Sequence, residues 1–254
     1  YCDWVNLALY KESFYFWYPV TLIYVKSIFK SILILILPLL LAGTCKNIEP
    51  AVSEGIITYD ISYPRPIEDK WMEKLMPTEM EMQFKNNKIN TELTFGLGMI
   101  KIGYITNTED KHLHEMLKFM RKRNVSHRSI KEVDDLIKQI PDHKIELLPD
   151  TKTIAGFLCN KAIVKVDSPN DPYIYDLWYT EKIKIKEPNW CTPFKSIPGV
   201  LMEYRVERFN VIMHFTAIDV EKSEVKDTEF MVPKKYKEIS VDAMEENLQK
   251  LKDI

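Results

Sequence analysis

The residues with the greatest chemical potential in this chain are five histidines, four cysteines and a scatter of paired carboxylates. His112 and His114, two positions apart, face one side of a strand, and with Asp110 they supply part of a metal site. Two solvated histidines on a surface strand satisfy the same pattern, and no second cluster brings further ligands, so neither metal nor cofactor is expected. Glu79 and Glu81 share a strand face, but same-strand acidic pairs are abundant and normally solvated. The motifs H-E-x-x-H, G-x-S-x-G and C-x-x-C are absent. Gly96-Leu97-Gly98 is followed by Lys101 where a dinucleotide fingerprint needs a third glycine, which argues against nucleotide chemistry. A net charge of -2 and a pI near 6.3 argue against a nucleic-acid binder.

The start of the chain has the anatomy of export. Lys26 and Lys30 precede the apolar run Ser31 to Leu41, which is too short to cross a bilayer comfortably as a helix. Ala42-Gly43-Thr44-Cys45 closes that run and resembles the lipobox of bacterial lipoproteins, which implies lipidation at Cys45. All 11 methionines lie at or after Met72, so residues 1–24, Cys2 included, read as translation upstream of a non-ATG start. The expected organisation is therefore a signal over 25–44, a tether over 45–54 and one domain over 55–254. An uncleaved anchor, or a helical pair formed with Phe14 to Val25, are the alternatives. Outside the signal and Cys45, Cys159 and Cys191 are the remaining thiols. Export to an oxidising compartment favours a disulfide between them, with two buried single thiols as the alternative.

The elements that must position these groups follow from periodicity. Ile57-Tyr59-Ile61-Tyr63, Met80-Met82-Phe84 and Ile89-Thr91-Leu93-Phe95 alternate with polar neighbours, and Asn86-Asn87 supplies a turn. Similar runs are expected at 99–106, 113–120, 144–148, 157–166, 174–180, 200–207, 211–220 and 228–232. Helices are expected after Pro66 with Ile67, Trp71 and Leu75 on one face, from the Ser129/Glu132 capping box to Pro141, and from Ser240 onward. The fold class is α+β: an antiparallel sheet of about ten strands packed with two or three short helices. Arg121-Lys122-Arg123 reads first as a solvated charged turn and second as a contact for anionic lipid heads. Pro198-Gly199 fits a type II turn with positive φ at the glycine.

Four segments taken together, Ile154 to Ala162, Leu177 to Thr180, Ser196 to Met202 and Phe230 to Lys237, resemble the GLPGLI and DUF4412 families of bacterial envelope proteins. That resemblance implies a relative of the lipoprotein-carrier fold, a strongly curved, half-barrel-like antiparallel sheet closed by helices around an apolar concavity. The implied function is a non-catalytic, lipid-anchored envelope protein, periplasmic or surface-displayed, that binds an apolar ligand or an envelope protein partner. A wall of Met80, Met82, Phe84, Met99 and Met116 would suit such a ligand. A structural accessory protein, or an envelope hydrolase with an unrecognised site, are the alternatives.

Overall fold

A strand that buries every second side chain must find a partner surface, and here one sheet supplies it. The computed structural model describes residues 51–67, 69–167, 172–208 and 211–253. The expected signal, Cys45 and most of the tether lie outside the described residues. The strands are β1 (Glu54–Ser62), β2 (Glu79–Lys85), β3 (Lys88–Phe95), β4 (Ile100–Asn107), β5 (His112–Phe119), β6 (Lys122–Arg128), β7 (Asp142–Ile154), β8 (Phe157–Asp167), β9 (Tyr173–Thr180), β10 (Val200–Arg208), β11 (Val211–Glu221) and β12 (Lys237–Glu238). They form a single open sheet in the order β12-β6-β5-β4-β3-β2-β1-β11-β10-β9-β8-β7. Every pairing is antiparallel except that of β12 with β6.

The fold is thus mostly strand, with few helices, as the alternation requires. The sheet has twelve strands where about ten were expected. The additions are β6, whose charged start Lys122-Arg123 hides its period, and the two-residue β12. The expected strand over 228–232 is instead a 3-10 turn, Asp227–Phe230.

One face of the sheet curls around the main core. Ile57, Tyr59 and Ile61 of β1, Met80, Met82 and Phe84 of β2, and Ile102 of β4 meet Cys159 of β8, Met202 of β10 and Met213 and Phe215 of β11. Burying each large apolar side chain contributes roughly 1.5–3 kcal/mol. Tyr59 joins the two halves by a further bond, its hydroxyl donating to the Leu201 carbonyl at 2.8 Å. We call this the inner face.

Three helices accompany the sheet. In α1 (Lys70–Leu75), Asp69 is the cap, accepting from the Trp71 and Met72 amides, so the helix starts later than Pro66. Trp71 is exposed and does not pack on the sheet, contrary to the expectation from its spacing. α2 (Ile130–Ile137) has the Ser129/Glu132 capping box and buries Val133. α3 (Val241–Gln249) is capped by Ser240 and buries Met244 and Leu248 in the main core. No helix among the described residues is long and apolar enough to cross a membrane.

Two glycines are fixed by geometry. Ala155 (φ 46°) and Gly156 (φ 81°) both take the left-handed conformation, the signature of a tight hairpin turn joining β7 and β8. Gly199 does not have the positive φ expected of a type II turn after Pro198. It is a glycine for another reason: a Cβ there would lie 2.4 Å from the Thr180 carbonyl oxygen, where β10 starts against β9. Gly199→Ala should therefore force the two strands apart and lower stability by about 1–3 kcal/mol. Chemical denaturation of the variant against the parent checks this, and an unchanged midpoint would contradict it.

Candidate functional site

Side chains out of phase with the core point to the other, outer face of β2 and β3, and they are polar. Register sets Glu81 opposite Glu92 and Gln83 opposite Asn90, with Glu79 and Thr94 beyond them. The chain after β11 crosses this outer face as a strap. Val225 and Phe230 of the strap bury against Ile105, Met116 and Val125, which alternate with inner-face residues such as Ile102 and Leu117. Polar bonds pin it: Val225 N–H donates to Glu54 at 2.7 Å, Lys85 Nζ to the Val225 carbonyl at 2.9 Å, and Asn90 Nδ2 to the Glu229 carbonyl at 2.9 Å.

Between strap and sheet lies a groove of about 420 Å3. Glu79, Glu81, Gln83, Asn90, Glu92 and Thr94 form one wall; Thr228, Glu229, Met231, Pro233, Lys235 and Tyr236 form the other. Glutamates directly opposite on neighbouring strands repel, and Lys101 relieves this by pairing with Glu92. Glu79 and Glu81 have no ion-pair partner among the described residues, so their carboxylates face the groove open. Asn90 also donates to Gln83 Oε1 at 3.2 Å, which orients both amides. The Tyr236 hydroxyl is pushed above its ordinary pKa by burial and then by Glu92, with Arg123 opposing, so it stays a donor. Open carboxylates, oriented amides and one aromatic ring together suit a ligand rich in hydroxyls and carrying apolar ring faces.

Two other polar sets are closed. On the inner face, buried Glu115 accepts from Arg128 Nε at 3.0 Å and Nη2 at 2.7 Å. Its other oxygen takes the Tyr104 hydroxyl at 3.3 Å and faces Arg208 at 3.5 Å. Arg128 also reaches Glu245 of α3 at 3.0 Å. Burial works against the Arg128 charge, but Glu115 and Glu245 outweigh it and hold the group charged. Both oxygens of the buried carboxylate are engaged within the set, so it is a structural clamp. The second set joins Lys152, Glu203 and His214: Nζ lies 2.5 Å and His214 Nε2 3.4 Å from the carboxylate, while His214 Nδ1 accepts from Arg205 at 3.1 Å. The His214 bond first, and Lys152 with it, hold the Glu203 carboxyl below the usual range against its burial.

The residues singled out from sequence divide as follows. Glu79 and Glu81 line the groove. His114 lies with its Nδ1 2.5 Å from that of His127, and its pKa is lowered by burial, then by His127 and His112. Among the described residues no three His, Cys, Asp or Glu side chains gather to hold a metal. Cys159 and Cys191 are free, which corrects the expected disulfide. Cys159 is buried in the main core and donates to the Phe157 carbonyl at 3.3 Å, whereas Cys191 packs with Trp190 and Val133 in a separate cluster. The loop around Cys191 is held by Asn189, which donates to the Ile197 and Gly199 carbonyls at 3.0 and 2.9 Å, and by Trp190, which donates to Thr106. The expected methionine wall is dispersed: Met80 and Met82 are in the core, Met116 is under the strap and Met99 is exposed. Gln83, Asn90, Glu92 and Tyr236 were not anticipated. Their signal was there in the polar phase of β2 and β3 and in Pro233 to Tyr236.

With this geometry in place, the class of protein can be stated. The family described as "N-glycanase peptide, N-terminal domain" matches residues 72–245, more than half of the chain, and the chain belongs to that family. A solved structure of PNGF-II, "Structure of PNGF-II in P21 space group", is similar at 17% identity and a TM-score of 0.50, over 78% of this chain and 34% of that one. At that identity the likeness shows the fold, and this chain spans about a third of that protein's length. No curated protein sequence matches. These findings overturn the resemblance to the GLPGLI and DUF4412 families and to the lipoprotein carrier. With it falls the reading as a non-catalytic binder of an apolar ligand or envelope partner. The physical reason is visible: the inner concavity is filled by close-packed side chains, the groove is polar, and Gly199, just before β10, lacks the positive φ that the expected type II turn needs.

Two measurements check the site's framework. Arg128→Met should cost about 3–5 kcal/mol, because it leaves the Glu115 carboxylate buried without its main partner, and the double variant with Glu115→Leu should recover much of that loss. Burial raises the Cys159 thiol to about 11, so it should resist alkylation in native protein and react on unfolding. For residues 51–254, whose thiols are Cys159 and Cys191, two modified thiols in denatured, unreduced protein are expected by mass spectrometry; a bridged pair would contradict the structure.

Proposed function

We propose that this chain serves the release of N-linked glycans from glycoproteins or glycopeptides, and that the groove between β2, β3 and the strap holds the carbohydrate. The observation that carries this reading is the placement of Glu81, Gln83, Asn90 and Glu92 across from Tyr236, inside the residues that match the N-glycanase family. Sugar hydroxyls both donate and accept, and the groove offers carboxylate acceptors beside amides that do both. A pyranose ring has an apolar face, which the Tyr236 ring can cover. Open carboxylates at Glu79 and Glu81 are also the groups an amide-cleaving step would use to take a proton from water, so the same wall serves holding or chemistry.

Kinetics separate these roles. Glu81→Gln and Tyr236→Ala should each weaken binding of a free N-glycan oligosaccharide by about tenfold, the loss of one charge-assisted hydrogen bond or one ring contact. Calorimetry measures this directly. In an assay of glycan release from a glycopeptide, a raised KM at unchanged kcat places the groove in substrate holding, and a collapsed kcat with Glu81→Gln places that carboxylate in the reaction. If both variants bind and release glycan as the parent does, the groove is not the carbohydrate site.

A further inference from the structure

The end of the sheet where β3 turns into β4 and β5 into β6 carries an apolar tip that the fold leaves uncovered. Leu97 is 91% exposed, Met99 48%, Met120 59% and Trp71 of the neighbouring α1 68%. The three loops lie together: α1 packs beside the Gly96–Gly98 turn, and the Met120 N–H donates to the Met99 carbonyl at 2.8 Å. Leu97 and Met120 have φ of 54° and 51°, a conformation that bulky side chains rarely adopt. The fold therefore holds two large apolar side chains outward on strained turns, where glycine or asparagine would sit with less strain and more solubility.

The charge around the tip is predominantly positive. Lys70 and Lys74 flank Trp71 on α1, and Arg121 and Lys122 follow Met120. None of these four has an ion-pair partner among the described residues. Lys118 Nζ donates to the Gly98 carbonyl at 2.7 Å, placing a fifth cation against the same turn. Of the acidic side chains on the α1 side, Asp69 is engaged in capping the helix and Glu73 remains.

We propose that this tip is a docking surface for an anionic phospholipid bilayer, its apolar side chains entering the headgroup boundary and its lysines and arginines meeting the phosphates. Exposed apolar side chains ringed by unpaired cations match a surface that is apolar below and negative above. A second copy of the chain is a poorer occupant, because a two-fold contact through this patch would set the same cations against one another. This inference is independent of the carbohydrate groove, which lies on the outer face beneath the strap.

The test uses residues 51–254, which form one compact unit with its own core. The unit should sediment with vesicles containing phosphatidylglycerol, stay in solution with phosphatidylcholine alone, and be released by high salt. Arg121→Gln with Lys122→Gln should lower partitioning on the order of tenfold or more, since each basic residue near such a surface contributes a several-fold factor. Leu97→Ser with Met120→Ser should lower it as well, with the thermal midpoint of the unit unchanged or raised because both side chains are exposed. Failure of the parent to bind anionic vesicles, or variants that bind as well as the parent, would overturn the proposal. So would a concentration-dependent dimer that these same substitutions dissolve.

Discussion

A carboxylate taken almost wholly out of water must be answered by cations, and Glu115 sets that demand at the heart of the inner face. Its two oxygens are claimed by Arg128 from β6, Arg208 from the end of β10 and Tyr104 from β4. Glu245 then shares Arg128 and brings α3 with it. Strands far apart in the sheet order are thereby held at one point, and the curl follows from the meeting of β4 to β6 with β10. The same burial raises the Tyr104 hydroxyl to about 12, partly opposed by Arg208, so it remains protonated as a donor to the carboxylate. An apolar core alone would permit the sheet to slide; paired charges with directional bonds allow one arrangement.

The sheet's two faces have separate duties because side chains alternate. The inner phase of β2 and β3 supplies Met80, Met82, Phe84, Ile89 and Leu93 to the core, and the outer phase supplies the glutamates and amides of the groove. The strap converts that outer phase from a flat polar surface into a walled groove, anchored by Val225 and Phe230 over Ile105 and Met116. Beyond the groove, β12 adds to β6 and shields its edge, while β7 at the other edge is exposed over much of its length and carries Pro149 and a shift in register. Proline and irregular pairing there discourage addition of a foreign strand.

Much of this was written in the period-two pattern. The strands from β1 to β5 and from β8 to β11 are legible because each has one apolar phase, and the caps at Ser129 and Ser240 announce their helices. β6 is hidden because its inner phase carries Ser126 and Arg128, buried polar residues that break the apolar period, and the partners that bury Arg128, Glu115 and Glu245, lie on other elements. The alternation of Phe230 and Val232 predicts a strand in the strap, but they pack on a sheet face rather than pair with an edge. In the site, Glu79 and Glu81 were visible as a same-face pair. Their opposites, Asn90 and Glu92, needed the register of β2 with β3, and Tyr236 needed the path of the strap. The family motifs misled for a related reason: short stretches such as Ser196 to Met202 meet local demands of chain entry into a strand, and those demands recur in unrelated sheets.

The clasp made by the last part of the chain has a consequence for how the molecule comes into being. Arg128 emerges from the ribosome 117 residues before Glu245, and Ile105, Met116 and Val125 emerge well ahead of the strap that covers them. During synthesis the first six strands can pair and Glu115 can meet Arg128, yet one face of that nascent sheet lacks the strap and the other lacks its core partners from β8, β10, β11 and α3 together with Arg208 and Glu245. At a synthesis rate of roughly 5–20 residues per second, these contacts must wait for their later partners to be made. The half-made domain therefore passes through a period in which its sheet is formed and its surfaces are unfinished, and this is when a chaperone or a premature stop decides its fate.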